Sequence, residues 1–136
     1  MFYFVVCSLL LGADQGEADA QALQGKWEIV RFENPATGSL ADYIKRAAIS
    51  AVMIVEKDRV GLDGSDKGMP LRYTIDSNKS PKQIDLVGKD GTRGRGIYLL
   101  KGDELKVCFA NDETTPRPTK FELKECLVIV TLRKKK

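Results

Sequence analysis

Asp63, Asp66, Asp85 and Asp90 are the acids best spaced to pair for general acid–base work, and Cys108 and Cys126 are the thiols that lie beyond the first twenty residues. The acids fall at turns and strand ends, where solvated carboxylates are ordinary. The chain of 136 residues contains no histidine. It therefore lacks the imidazole that usually serves as general base, that activates a serine or cysteine nucleophile, and that ligates many metals. Asp63-Gly64-Ser65-Asp66-Lys67-Gly68 resembles a calcium loop in composition, yet it lacks acids at alternate positions and the distal bidentate glutamate. Gly88–Gly96 is rich in glycine and arginine, but a phosphate-cradling loop opens a helix, and here a strand follows. No catalytic residue, metal ligand or cofactor is assigned, and the expectation is a protein that is not an enzyme.

Charge narrows the partners. The formal net charge is +3; all 22 basic residues and 16 of the 19 acidic ones fall in residues 21–136, which therefore carry +6. The excess is partly gathered in the terminal Arg133-Lys134-Lys135-Lys136. A nucleic-acid binder shows a basic stripe with interleaved aromatics, which this chain lacks, so no nucleic-acid partner is expected.

The elements that must position these residues are strands. Trp27 and Ile29 alternate with Glu28, Val30 and Phe32 along Lys26–Asn34, a strand with contacts on both faces, and further strands are expected over Ile49–Glu56, Arg59–Asp63, Leu71–Asp76, Gln83–Val87, Ile97–Leu100, Leu105–Ala110, Thr119–Leu123 and Leu127–Arg133. Asn34-Pro35, Lys57-Asp58, Ser80-Pro81 and Gly102-Asp103 punctuate them. Ser39 caps a short helix expected from Leu40 to Ala48. Short connections and the absence of any βαβ pattern predict an all-β, antiparallel up-and-down barrel of about eight strands with one short helix. Trp27 belongs at one end of that barrel as a plug.

The N-terminus reads differently. Phe2–Leu11 is apolar and too short to span a bilayer, so no membrane span is expected. Ala18-Asp19-Ala20 fits the small-x-small pattern of a secretory cleavage site, although no Lys or Arg precedes the apolar run. Residues 1–20 are expected to be a signal peptide and 21–136 the barrel domain, exported to the periplasm, the cell envelope or the medium. In that setting Cys108 and Cys126 either form one disulfide or remain as small buried hydrophobes.

Collinear pieces carry a resemblance: Leu23-Gln24-Gly25-Lys26-Trp27-Glu28, Tyr73-Thr74-Ile75-Asp76, Ser80–Leu86, Gly96-Ile97-Tyr98, Gly102–Leu105, Val107–Ala110 and Arg117–Phe121. Together the set, covering about residues 23–133, resembles a family of lipocalin-like domains of uncharacterised function found mostly in planctomycete bacteria, with a calycin-like β-barrel. The resemblance implies the barrel and export more than any activity. Gly25-x-Trp27 is also similar to the lipocalin first-strand motif, which implies barrel closure by Gly25 and Trp27 with Arg133 as the cation over the indole. Asp85 and Arg117 sit in recurring pattern positions, and a buried pair between them is one structural reading.

Two functions follow. The first is an exported, non-enzymatic domain that binds a small apolar or amphipathic molecule through inward-facing Trp27, Ile29, Met53, Tyr73, Ile75, Tyr98, Leu100, Val107, Phe109 and Val128, each equally explained as core. The alternative is a barrel filled by its own side chains, an envelope interaction module that docks a protein or an anionic surface through Gly88–Gly96 and the basic tail. Cavity volume separates them, because a ligand site needs a few hundred cubic ångströms.

Overall fold

Alternating apolar residues, broken by short polar turns, give a chain that zips strand by strand. The computed structural model describes residues 16–35, 48–64, 68–91, 93–110 and 114–136. A short helix, α1 (residues 16–23), precedes eight strands: β1 (Gly25–Glu33), β2 (Val52–Glu56), β3 (Arg59–Leu62), β4 (Leu71–Asp76), β5 (Lys82–Val87), β6 (Arg93–Lys101), β7 (Glu104–Phe109) and β8 (Val128–Lys134). They form a closed antiparallel barrel in which each strand pairs with its sequence neighbours and β8 returns to β1. Full closure leaves no edge strand exposed to templated pairing.

Register places alternate residues inside. Val55 opposes Val60, Val60 opposes Leu71, Tyr73 opposes Leu86 and Ile75 opposes Ile84. These residues and Leu23, Trp27, Tyr98, Leu105, Val107 and Leu132 make the interior core. A second, smaller cluster of Ile97, Cys108, Cys126 and Ile129 lies on the outer face of β6, β7 and β8, with Phe121 packed against it. The β7–β8 connection thus folds back over the outside of the barrel.

Two expectations shift, and a third falls almost wholly outside the described residues. Arg93–Gly96 belongs to β6 and not to a loop. A Cβ on Gly96 would lie 2.4 Å from the Cys108 carbonyl oxygen and 2.7 Å from the Phe109 ring, so β6 approaches β7 through a glycine that has no side chain to clash. The short strand expected at Thr119–Leu123 is instead a set of bends and turns. The expected helix from Leu40 to Ala48 lies, apart from Ala48, outside the described residues. Among the described residues, no helix is long and apolar enough to cross a membrane.

Candidate functional site

Closure of one barrel end begins with the junction of α1 and β1. Gly25 has φ 114°, a conformation open to glycine, and it turns the chain sharply from helix to strand. Trp27 is fully buried, and its Nε1 donates to the Leu23 carbonyl at 2.9 Å. The last four carbonyls of a helix need partners from outside it. Here Gln24 Nε2 and the Gln24 amide serve Ala20 and Gln21, Lys134 Nζ serves Ala22 at 2.9 Å, and Trp27 serves Leu23. Lys134 also donates to the Gln24 carbonyl and stands 4.7 Å from the centre of the Trp27 ring. A cation there suits both the indole face and the negative end of α1.

The cation over Trp27 is therefore Lys134, not Arg133. In the β1–β8 register Trp27 opposes Lys134, and Arg133 opposes Glu28 and is exposed. Strand side chains alternate faces, so a shift of one residue sends Arg133 outward.

A polar lock fastens α1 to the wall. Asp19 is 6% exposed; its Oδ2 accepts from Tyr98 Oη at 2.6 Å and from Lys82 Nζ at 2.8 Å. Burial, followed by the hydrogen bond to Asp19, drives the Tyr98 hydroxyl well above the ordinary phenol range. Gln24 braces the β2–β3 hairpin by accepting from the Lys57 amide at 2.6 Å and donating to the Lys57 carbonyl at 2.9 Å. Its amide also donates to Tyr73 Oη. Burial raises the Tyr73 hydroxyl as well, against the lowering effect of the Gln24 bond. Of the expected leader, residues 1–15 lie outside the described residues. Residues 16–20 are part of α1.

Inside the barrel, Met53, Tyr73, Val107 and Phe109 of the expected lining border one cavity with Leu23, Val55, Val60, Ile84, Leu86 and Leu105. Its volume is about 60 Å³. Ile29, Ile75 and Leu100 pack against the core without bordering it, Trp27 plugs the closed end, and Tyr98 is bound to Asp19. Val128 pairs with Phe109 across β7 and β8. Asp19 was hidden because the sequence around Ala20 reads as a cleavage site, and Leu23, although within the expected barrel domain, was not among the expected lining.

The outer wall carries the charge. Cys108 and Cys126 form a disulfide with Cα atoms 5.7 Å apart, pinning the β7–β8 connection. Arg117 from that connection reaches the wall, with Nη1 2.8 Å from Asp85 Oδ1 and donating to the Gly96 carbonyl at 2.8 Å. The Asp85 contact is an ion pair by distance, without a well-aligned hydrogen bond to that oxygen. Glu125 accepts from the Thr119 amide and hydroxyl, and these bonds hold its carboxyl below the usual carboxylate range. Around the wall, Arg59 opposes Arg72, Arg72 opposes Val87, and Val87 opposes Arg93, which lies 3.9 Å from Asp85. Three arginines thus share one row across four strands. Among the described residues, no three His, Cys, Asp or Glu side chains gather as a metal site would require.

Comparison of the chain with protein-family models, with curated proteins and with solved structures returned no match.

Proposed function

We propose that this chain is a non-enzymatic, filled-barrel interaction module that docks an anionic partner on its outer wall. The observation that carries this reading is the 60 Å³ interior. A benzene-sized guest occupies a cavity of about 150 Å³, and ligand sites run to about 300–1,000 Å³. A carrier of a fatty chain would have to displace Leu23, Met53 or Phe109 from the core, at a cost of about 2–5 kcal/mol for each large side chain removed.

The row Arg59, Arg72 and Arg93, next to Lys89, supports an anionic partner, because cations gathered on one face of a sheet steer and hold negative groups. The Cys108–Cys126 disulfide supports the exported setting, where such bonds persist. The calycin-like barrel and the planctomycete resemblance are part of the same proposal, supported by the eight-strand up-and-down closure and by the Gly25-x-Trp27 plug.

Calorimetric titration of the full chain tests the choice. Palmitate is expected to give no saturable heat, and dextran sulfate is expected to bind with an affinity that falls steeply as salt rises. Saturable one-to-one binding of palmitate would overturn the filled-barrel reading and restore the small apolar ligand.

A further inference from the structure

Not all the cations on the outer wall are neutralised in the same way. Arg93 has Asp85, and Arg117 has Asp85 and two carbonyls. Arg59, Arg72 and Lys89 form no ion pair among the described residues. These three border one surface recess of about 320 Å³, whose remaining lining is Pro70, Val87 and Gly88.

The sheet itself fixes the placement. Arg59 and Arg72 are direct cross-strand partners on β3 and β4, so both side chains leave the same face side by side. Two like charges in that relation destabilise a sheet. Lys89 follows the end of β5 in a tight turn closed by the Gly91 amide donating to the Gly88 carbonyl at 3.1 Å, with Gly91 at φ 85°. The turn sets Lys89 at the mouth of the recess.

We infer that this recess is a binding site for a tetrahedral oxyanion, phosphate or sulfate, gripped by Arg59 and Arg72 with Lys89 as a third donor. Guanidinium forks match the oxygen geometry of such groups, and an ammonium adds a movable point charge. An anion between the two arginines also removes the repulsion that the empty pair carries. This inference deepens the docking reading of the same wall and rests on it: the oxyanion is the recognised chemistry, either as a free ion or as an ester group on a polymer.

The test uses the full chain, labelled with ¹⁵N and held at constant ionic strength with chloride. Inorganic phosphate and inorganic sulfate are titrated in turn, then dextran sulfate. The expected result is saturable shifts centred on the amides of Arg72, Val87, Gly88 and Lys89, with affinity falling about tenfold in Arg72→Ala and in Arg59→Ala. Lys124→Ala, an equal loss of charge elsewhere, is expected to leave the affinity unchanged. Phosphate should also raise the melting temperature of the wild type and not that of Arg72→Ala, which keeps the test readable if a variant loses stability. Tighter binding of the inorganic ions per oxyanion group assigns the site to a free ion, and tighter binding of the polymer assigns it to an ester. Shifts that are linear and spread over every basic residue would overturn the site. If dextran sulfate binds the wild type and both arginine variants equally, the recess fails and the docking reading stands. If palmitate fills the barrel, the docking reading fails whatever the recess does.

Discussion

Replacing Asp19 by alanine removes the acceptor of a hydroxyl that has nowhere else to turn. Tyr98 is 1% exposed and donates to Asp19 at 2.6 Å. Leaving a buried hydroxyl unsatisfied costs about 1–3 kcal/mol. The Lys82 contact at 2.8 Å adds up to about 1 kcal/mol, because the lysine side chain is 30% exposed and water screens the pair. Asp19→Ala should therefore destabilise the fold by about 1–4 kcal/mol, a sizeable share of a typical total of about 5–15. Asp19→Asn keeps an acceptor for Tyr98 and loses only the charge, so about 1 kcal/mol is expected. The assay is urea unfolding of the full chain followed by the fluorescence of Trp27, with Tyr98→Phe completing a double-mutant cycle. A coupling of about 1–2 kcal/mol between Asp19 and Tyr98 is expected. Asp19→Ala within about 0.5 kcal/mol of wild type, or a coupling near zero, would refute the lock.

The same bonds predict that an exported form keeps Asp19, so N-terminal sequencing should start at or before residue 16; a start at Gln21 would show that the lock is dispensable. Tyr98 and Tyr73 both ionise at higher pH in the folded protein than unfolded, so their contribution is complete below about pH 10 and is lost as pH rises beyond it. Stability measured between pH 9 and 12 (roughly the accessible range above the usual phenol value) should fall by up to about 1.4 kcal/mol per pH unit for each tyrosine, and Tyr98→Phe should flatten the curve. Lys134→Ala should cost about 1–2 kcal/mol by freeing the α1 carbonyls and the Trp27 face, with a shift in Trp27 emission, and Arg133→Ala should stay within about 0.5 kcal/mol. Removing both cysteines from the 18-residue span should cost about 3 kcal/mol in chemical unfolding, and an unchanged midpoint would show that the outer cluster holds the β7–β8 connection unaided.

The strands were legible wherever side chains alternate. Leu71–Asp76 carries a clean two-residue period and emerges with those bounds as β4. Arg93–Gly96 hides its strand character because glycine contributes no pattern; the reason for glycine there, the close passage of Phe109, exists only in three dimensions. The Gly25-x-Trp27 signal drew attention to an indole that is fully buried, but the phase of β8 was ambiguous by one residue, and that residue decides which cation meets the indole. The cavity lining was half visible: Met53, Tyr73, Val107 and Phe109 border it, whereas Leu23 comes from a helix that the strand pattern did not announce. The basic recess was invisible because Arg59, Arg72 and Lys89 come from separate elements, and only the pairing of β3 with β4 and β4 with β5 brings them together. The Asp85–Arg117 pair could be named from the sequence, though its role in tying the β7–β8 connection to β5 could not.

The pairing of β1 with β8 has a consequence for biosynthesis. Seven of the eight strand contacts join neighbours that can form as the chain emerges, whereas the last needs Lys134 of β8, the final strand, to reach Trp27 of β1, the first. A nascent chain whose β8 has not yet emerged is thus an open ribbon with the indole uncovered and both edge strands unpaired, the state most prone to improper association. Completion of β8, rather than the making of any one hairpin, sets the moment at which this barrel becomes a barrel.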